Sequence, residues 1–310
     1  MDNATAISII ICTYNRMHSL SKTLESLVSQ YVPDGTNWEI VVVDNNSTDS
    51  TQQVIEDFQS RFQGRFRSVR ELQQGISFAR NRGIRESRGE VLAFIDDDEI
   101  ATPGWLEKLT ANLFSGEWAG SGGPVVSQWN RRPPTWWSDK SPFTLGPLAA
   151  WGADPKVKTL VHPPVGANMA FRRETFDKFG GFRTDLGRVG GILLHGEDTE
   201  FGRRLMDAGL KLRYEPAAVT LHPVDESRIS KKYFLDWWFN KGKSDIREFG
   251  DQKSGIHLFS IPIGIFRDIV VEAIRWAITL NPARKFICRL KLWTYAGAAV
   301  EYHRLSSSSK

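Results

Sequence analysis

Cysteine is scarce in this sequence, and long hydrophobic runs are missing. Its 310 residues include only two cysteines, Cys12 and Cys288. That number excludes a disulfide framework or a cysteine-based metal cluster, and it is typical of proteins from a reducing compartment. No stretch reaches the roughly 18 consecutive apolar residues of a membrane-spanning helix. We therefore expect a protein that does not cross a membrane, although it could lie on one.

A large excess of charge of one sign is also missing. The chain has 40 Lys+Arg residues against 36 Asp+Glu residues, which gives a net charge of +4. So small a surplus does not indicate a nucleic-acid-binding protein, and we expect no nucleic-acid partner. The first residues carry an acid and no early Lys or Arg, so a signal peptide is not expected either.

The first 115 residues alternate between short apolar runs and segments of helical periodicity. This alternation predicts an α/β fold with a doubly wound, mostly parallel sheet. Two helix starts are predicted from capping motifs. Ser50 with Gln53 fits a capping box, and Thr102-Pro103 fits an N-cap residue followed by a proline in the first helical position. Residues 128–164, rich in Pro and Trp, predict a lid or a binding loop. The predicted strands are Ile7–Cys12, Trp38–Val43, Phe66–Val69 and Val91–Ile95.

Two of the predicted strands run directly into acidic residues. Asp44 follows the second strand, and the run Asp96-Asp97-Asp98-Glu99 follows the fourth. Ligands of open parallel sheets bind beyond the carboxyl ends of the strands, so these acids are candidate ligand-binding residues. The turn after the first strand has no G-x-G-x-x-G motif, which argues against a nicotinamide cofactor.

The acidic run suits a divalent cation. Side chains two residues apart on extended backbone point the same way, so Asp96 and Asp98 can converge on one nucleotide and metal. Mg²⁺ or Mn²⁺ takes oxygen ligands, usually one or two carboxylates together with substrate phosphates. The alternative is that the run is only a solvated turn.

Five motifs follow one another between about residues 6 and 245. They read ICTYNR at 11–16, VVDNNSTD at 42–49, Gly75 with ARNRGI at 79–84, FIDDD at 94–98, and Gly-Glu-Asp at 196–198 followed by Gly209. In this order they resemble the family 2 (GT-A fold) glycosyltransferases, most closely bacterial exopolysaccharide glucosyltransferases of the succinoglycan-assembly type. The resemblance implies a Rossmann-like GT-A catalytic domain over 1–245. Its nucleotide-sugar-binding half would be 1–120, and its acceptor and catalytic half 121–245.

The resemblance also implies roles for single residues on the donor side. Tyr14 would stack on the nucleotide base, Asp44 would accept from a base N–H, and Asp96 would bind the ribose. Arg80 would steady the diphosphate. Two alternatives stay open: Asp44 as a turn or helix-start acid, and Arg80 as an exposed helix residue. The implied donor-binding residues are Thr13, Tyr14, Asn15, Arg16, Asp44, Asn46, Gly75, Arg80, Asn81, Asp96 and Asp97.

The resemblance further implies a metal and a general base. Asp98 would bind Mn²⁺ or Mg²⁺, and His222, at a predicted strand end, is a second candidate ligand unless it is structural. Asp198 would take the proton of the acceptor hydroxyl, and Glu197 would orient the acceptor or neighbouring groups. Alternatively, both acids only offset a helix dipole. With one base and no second carboxylate as nucleophile, the expectation is inversion at the anomeric carbon.

The last part of the sequence is both apolar and basic. Residues 256–305 contain seven Lys/Arg residues and three acids among many aliphatic and aromatic residues. We expect 246–310 to be a C-terminal helical extension that is amphipathic and able to contact a membrane interface. The alternative is a helical pair that only packs on the catalytic domain.

The resemblance implies a metal-dependent, inverting transferase of one hexose, with UDP-glucose as the best guess for the donor. The acceptor would be a lipid-linked oligosaccharide, and the enzyme would be cytoplasmic and peripheral on the inner face of the plasma membrane. Processive synthases of the superfamily carry Gln-x-x-Arg-Trp among spanning helices, whereas residues 236–244 read DWWFNKGKS. A nucleotidyltransferase is a weaker alternative because its Gly-rich opening is absent. The other alternative is a catalytically silent, membrane-docked module that binds nucleotide sugars.

Overall fold

The computed structural model describes residues 5–30, 32, 36–62, 64–138, 140–250 and 256–308. Residues 251–255 and 309–310 of the predicted C-terminal extension lie outside these ranges. The strands are β1 (Ile7–Thr13), β2 (Trp38–Asp44), β3 (Phe66–Arg70), β4 (Val91–Ile95), β5 (Ile100–Ala101), β6 (Gly120–Gly122), β7 (Val125–Gln128), β8 (Asn168–Arg172), β9 (Leu212–Tyr214), β10 (Thr220–Pro223), β11 (His257–Leu258) and β12 (Ile261–Pro262). The helices are α1 (Met17–Val28), α2 (Thr51–Arg61), α3 (Ile76–Glu86), α4 (Trp105–Thr110), α5 (Pro142–Leu145), α6 (Arg173–Phe179), α7 (Glu197–Asp207), α8 (Lys231–Phe249), α9 (Ile263–Ile278) and α10 (Pro282–Ser308).

The larger sheet has the strand order β3-β2-β1-β4-β8-β6-β9. Strands β3, β2, β1 and β4 run parallel, β8 is antiparallel to both β4 and β6, and β6 is parallel to β9. A smaller sheet has the order β5-β10-β7. The predicted α/β fold with a mostly parallel sheet is confirmed.

Strand β1 is buried on both faces, as its run of isoleucines predicts. Ile9 and Ile11 belong to the apolar core that also contains Leu20 and Leu24 of α1. Ile10 points to the other core, which contains Phe94. Helices therefore cover both faces of this sheet.

The two predicted helix starts need correction. Ser50 directly precedes α2, but its side chain makes no capping hydrogen bond. Asp49 takes that place, because its Oδ1 accepts from the Thr51 N–H at 3.0 Å. Helix α4 begins after Gly104, two residues later than predicted. The Thr102 hydroxyl is unavailable as a cap because it donates to the Val219 carbonyl at 2.8 Å.

The chain forms two compact units that interleave along the sequence. The sheet unit comprises residues 1–128, 149–184 and 197–223, and the helical unit comprises 129–148, 185–196 and 224–310. The sequence analysis instead predicted a catalytic domain with halves 1–120 and 121–245, and a functional boundary between residues 245 and 246. That functional boundary stays a prediction.

In the helical unit, α8 and α10 pack closely together. A Cβ atom at Gly242 would lie 1.9 Å from the Thr294 carbonyl oxygen, and one at Gly297 would lie 1.8 Å from the Phe239 carbonyl oxygen, so any side chain at either position would clash. Part of the Trp-rich segment lies in the core of this unit, where Trp136 packs edge-on against Phe234. Within the described residues, no helix is both long enough and apolar enough to span a bilayer.

Candidate active site

Several of the residues that the sequence analysis singled out lie at one edge of the larger sheet. In the parallel register, Thr13 at the end of β1 lies beside Asp44 at the end of β2. Asp96 follows the last residue of β4, which pairs with β1 on its other side. The strand order reverses between β1 and β4, and open α/β sheets bind their ligands at such a point.

Hydrogen bonds tie together the two loops that follow β1 and β2. The backbone N–H of Asn15 donates to the Ser47 hydroxyl at 3.0 Å, and the Asn15 side-chain oxygen accepts from the Thr48 N–H at 2.8 Å. Asn15 itself has a left-handed φ of 53°. The Tyr14 ring remains 37% exposed, so it is available for stacking on a planar group.

Asp44 is buried, and one of its oxygens already has a partner. Its Oδ1 accepts from the Ser47 N–H at 3.0 Å, and Arg70 lies 3.8 Å from its Oδ2. The turn role is therefore present, and binding of a nucleotide base through Oδ2 stays a prediction. Asn46, with a left-handed φ of 64°, accepts a hydrogen bond from Arg70 at 2.7 Å.

Gly75 and Asn81 hold helix α3 in place. The N–H of Gly75 donates to the Asn45 side chain at 2.8 Å, and its φ of 139° favours glycine. The Asn81 amide both donates to and accepts from the backbone of Phe182 at 2.8 Å. Asn81 thus has a structural role, and its predicted contact with the donor is not tested.

Arg80 is a buried cation that connects two acidic groups. Its guanidinium lies 3.1 Å from an Asp96 oxygen and 2.5 Å from a Glu197 oxygen. The interpretation of Arg80 as an exposed helix residue is therefore wrong. Although burial opposes the charge, Glu197 and Asp96 raise the pKa of Arg80 overall. Arg80 joins the end of β4 to the start of α7.

The acidic run after β4 is not a solvated turn. Asp97 and Glu99 are buried, whereas Asp96 and Asp98 are partly exposed. Burial, and then the charge of Asp98, raise the pKa of Asp97 to about 7. Burial also raises the pKa of Glu99 to about 7, against a hydrogen bond with His222. The four acids thus alternate between buried and accessible positions.

Asp98, Glu99 and His222 form a candidate metal site. One ligand atom from each lies within 4.8 Å of the other two. His222 Nδ1 is 2.8 Å from a Glu99 oxygen and 3.9 Å from an Asp98 oxygen. The other Glu99 oxygen is buried and has no hydrogen-bond partner, which is consistent with a carboxylate oxygen that binds a cation. These residues fit a divalent cation.

Glu99 is a candidate metal ligand that the sequence analysis included in the acidic run but did not single out. In the antiparallel pairing of β5 and β10, Leu221 lies opposite Ile100, and the residues next to them, His222 and Glu99, are joined by a side-chain hydrogen bond. The partners are 123 residues apart in the sequence, so only the sheet register brings them together. The signal available in the sequence was the position of Glu99 at the end of the acidic run.

Glu197 and Asp198 begin helix α7. Asp198 is partly exposed, and its carboxylate accepts from the backbone N–H groups of Gly166, at 2.5 Å, and Thr199, at 2.7 Å. Glu197 is buried, and burial followed by the charge of Asp198 raises its pKa to about 7, although Arg80 opposes the shift. Both acids occupy the first helical turn, so an interaction with the helix dipole is also present.

Two further residues at this edge escaped the sequence analysis. The N–H of Gly166 orients Asp198, and a Cβ atom at Gly166 would lie 2.2 Å from the Arg80 guanidinium, so a side chain there would displace Arg80. Asn168 donates to the carbonyls of Pro124 and Ala218 and accepts from the Trp105 indole at 2.8 Å. Glycine and asparagine in an irregular segment carry no distinctive sequence signal.

The fold and the edge just described define the class of protein. A doubly wound sheet with an acidic run beyond a central strand and an acidic pair opening a later helix is the arrangement of a GT-A glycosyltransferase. A sequence profile described as Glycosyl transferase family 2 matches residues 8–180, which is more than half of the chain. The chain belongs to this family and is a glycosyltransferase.

Two curated relatives are similar over most of their length. The succinoglycan biosynthesis protein ExoM of Rhizobium meliloti is 29% identical over 258 residues, which cover 83% of this chain and 79% of that protein. The glucosyl-dolichyl phosphate glucuronosyltransferase of Haloferax volcanii is 28% identical over 236 residues, which cover 74% of this chain and 72% of that protein. The first is named for succinoglycan biosynthesis, and the second for a glucuronosyltransferase of glucosyl-dolichyl phosphate.

A solved structure supports the fold. The mannosyltransferase PcManGT of Pyrobaculum calidifontis, in complex with GDP-Man and Mn²⁺, superposes with a TM-score of 0.57. It is 19% identical in sequence, and the match covers 99% of this chain and 76% of that one. The predicted GT-A fold is confirmed.

Proposed function

We propose that this glycosyltransferase moves a single hexose from a nucleoside diphosphate sugar to a lipid-linked saccharide, with inversion and with the help of Mn²⁺ or Mg²⁺. UDP-glucose is the proposed donor. The observation that carries the proposal is the position of Arg80 between Asp96 and Glu197, beside the Asp98-Glu99-His222 cluster. These residues carry the donor-binding, metal-binding and acceptor-activating roles in the proposal.

On the donor side, Tyr14 and Asp44 bind the base, and Asp96 binds the ribose. Asp98, Glu99 and His222 would hold the cation, which would supply charge neutralisation for the departing diphosphate. Arg80, whose charge is fixed by its two acidic partners, lies beside the ribose-binding acid and adds positive charge there. The Mn²⁺ and GDP-Man bound to PcManGT support this assignment.

On the acceptor side, Asp198 acts as general base. Hydrogen bonds from Gly166 and Thr199 orient its carboxylate. Asp198 takes the proton of the acceptor hydroxyl while the hydroxyl oxygen forms a bond to the anomeric carbon. The bond from that carbon to the diphosphate oxygen breaks on the opposite face of the sugar. The products are the inverted glycoside and the free nucleoside diphosphate. Glu197 holds Arg80 rather than taking the proton.

The lipid-linked acceptor and the position on the cytoplasmic face of the plasma membrane are the finest parts of the proposal. They rest on similarity to ExoM and to the glucosyl-dolichyl phosphate glucuronosyltransferase, whose names refer to exopolysaccharide assembly and to a lipid-linked sugar. The proposal includes peripheral contact with the membrane that carries such an acceptor.

A thermal-shift panel of nucleotide sugars, with and without Mn²⁺, tests the donor and the metal. A ligand that binds only the folded state stabilises it by about 2.7 kcal/mol at a hundredfold excess over Kd. We expect stabilisation by UDP-glucose only when Mn²⁺ is present, followed by release of UDP when a lipid-linked acceptor is added. Binding without release on any acceptor would instead indicate a silent nucleotide-sugar-binding module.

A further inference from the structure

Helix α9 carries apolar side chains on the face that it exposes. Ile263, Val270, Ile274 and Ile278 recur at intervals of four or seven residues, and their side chains are between 53% and 72% exposed. A helix of a globular protein normally directs such a stripe toward the core. The outer stripe of α9 therefore needs a separate explanation.

The inner face of α9 already has its packing partners. Ile265 belongs to an apolar cluster with Ala298 and Tyr302 of α10. On the same inner side, Glu272 is buried, with Arg275 at 2.7 Å and Lys291 at 3.5 Å. The helix thus buries an acid and exposes isoleucines, so the outer stripe is not a core face left uncovered.

Two protruding apolar groups extend the stripe beyond both ends of the helix. Before α9, Phe259 stands at the tip of the β11–β12 hairpin, where it and Ser260 adopt left-handed φ angles of 51° and 66°. Such a conformation is unusual for a bulky residue, and here it accompanies a ring that is 78% exposed. After α9, Leu280 is 94% exposed. We call these two residues and the four of the stripe the α9 surface.

The charges around the α9 surface are positive. Arg267 and Arg275 are exposed, and Lys285 lies over the Trp276 ring at 4.9 Å. The three acids of residues 256–305 are all turned inward: Glu272 and Glu301 are buried, and the Asp268 side chain is only 21% exposed and paired with Arg267. An apolar ridge with cationic flanks is complementary to an anionic lipid surface.

We propose that the α9 surface is inserted into the interfacial layer of an anionic bilayer, with the axis of α9 in the membrane plane. A helix of this length spans roughly 24 Å, less than the hydrocarbon core, and its flanking arginines suit the headgroup region. A second copy of the chain is a poorer partner. In a two-fold dimer the same patch of both copies would meet, which would bring their cationic flanks together, and residues 256–305 offer no exposed acid to offset them.

This inference deepens the proposed function, because a lipid-linked acceptor lies in such a bilayer. The benefit of membrane binding rests on the proposed function, whereas the binding itself does not. Vesicle binding needs neither donor nor acceptor. Nucleotide-sugar binding, conversely, is measured without vesicles. Failure of one is therefore distinguishable from failure of the other.

Flotation of the full chain with vesicles tests the proposal. We expect binding to phosphatidylglycerol-containing vesicles, weaker binding to pure phosphatidylcholine, and a decrease as salt rises. The double variant Ile274→Glu/Ile278→Glu should lose at least about tenfold in binding, because two charges replace aliphatic groups that insertion would bury in the bilayer. Arg267→Gln should lose about fivefold, the contribution of one basic side chain near an anionic surface. Val161→Glu, which changes a 75% exposed residue of the sheet unit, is the matched control and should bind like wild type.

The unfolding temperature and the UDP binding of each variant are measured without lipid to check that the fold is intact. Because both altered isoleucines are exposed, we expect the unfolding temperature and the UDP binding to stay as in wild type. The proposal is overturned if the wild-type chain ignores anionic vesicles, or if the folded double variant binds them as well as wild type does. It is also overturned if the wild type dimerises without lipid and the double variant is monomeric, since the α9 surface would then be covered by a second copy.

Discussion

Buried carboxylates lie in both compact units, but they have different numbers of cationic partners. In the helical unit, Glu272 pairs with Arg275 and Lys291, and Glu301 accepts hydrogen bonds from Arg247 and Arg304. Although burial alone would raise it, these hydrogen bonds lower the pKa of Glu301 overall. Each of these two buried acids is thus compensated by two cationic side chains of the same unit, and no ligand is needed to balance its charge.

At the sheet edge the balance is different. Asp97 and Glu99 are buried and their pKa values are raised to about 7, chiefly by burial. Arg16 reaches only to 4.0 Å from Asp98, and Arg80 is already shared by Asp96 and Glu197. This difference indicates that acids compensated within the chain are structural, whereas the acids of the sheet edge, with fewer cations nearby, are candidates for binding an added cation.

The largest expected effect comes from removing a ligand of that cation. Asp98→Ala should abolish sugar transfer and the metal-dependent part of nucleotide binding, while the fold stays intact. Transfer assays and thermal shifts with Mn²⁺ and UDP measure the two losses. Asp57→Asn, which changes an exposed acid of α2, is the control and should leave both unchanged. Full activity of Asp98→Ala in the presence of a chelator would contradict the metal assignment.

The next effect concerns the general base. Asp198→Asn should slow transfer by about 10²–10⁴-fold with donor affinity nearly unchanged, since the amide can still accept from Gly166 but cannot take a proton. Glu200→Gln, on the same helical turn, should leave the rate close to wild type because Glu200 pairs with Arg204. Single-turnover rates and donor titrations separate the two quantities. A collapse of donor affinity with a normal rate per bound donor would make Asp198 a donor ligand instead.

Much of this site could be predicted because its residues follow strand ends that are legible in the sequence. Asp44 ends β2, and Asp96 and Asp98 lie within three residues of the end of β4, at the predicted edge. Ser50 and Thr102 were wrongly predicted as caps because a neighbouring side chain and a distant carbonyl take over their hydrogen bonds. Such partners depend on tertiary packing and have no local signal.

Other features could not be predicted from the sequence because they depend on strand register or on which side of a helix is exposed. Glu99 meets His222 only through the pairing of β5 with β10. The periodicity of residues 256–305 predicted amphipathic helices, but it left open whether the apolar side faces a core or a membrane. Only the burial of Glu272 and the exposure of Ile274 indicate which face of α9 points outward.

A third prediction compares a shared cation with a redundant one. Arg80→Gln should destabilise the protein by about 3–5 kcal/mol, because it leaves buried Glu197 without its cation. Arg304→Gln should cost less than about 1 kcal/mol, since Arg304 is half exposed and Glu301 keeps Arg247. Urea unfolding of both variants measures the difference. Equal losses would mean that the two regions do not differ in the way described.

The smallest effects are pH dependences of opposite sign. The pKa of Glu301 is lowered in the folded state, so its stabilisation is present above pH 4.5, the ordinary value for glutamate, and is lost on acidification below it. The pKa of Glu197 is raised to about 7, so its contribution is full below pH 4.5 and is lost as the pH rises through 7. Relative to wild type, Glu301→Gln should therefore be most destabilised at neutral pH, and Glu197→Gln at acidic pH. Chemical unfolding between pH 4 and 8 checks both slopes, and slopes of the same sign would contradict the assignment.

Direct binding of Mn²⁺ tests the central claim, that the excess carboxylates at the sheet edge form a site for an added cation. Free Mn²⁺ can be followed by its electron paramagnetic resonance signal as the full chain is titrated in the presence of UDP. The account predicts that wild type takes up a single Mn²⁺ per chain and that Glu99→Gln and Asp98→Ala bind it far more weakly, while Glu301→Gln binds it as wild type does. No stoichiometric uptake by wild type, or equal uptake by the Glu99 and Asp98 variants, would contradict it.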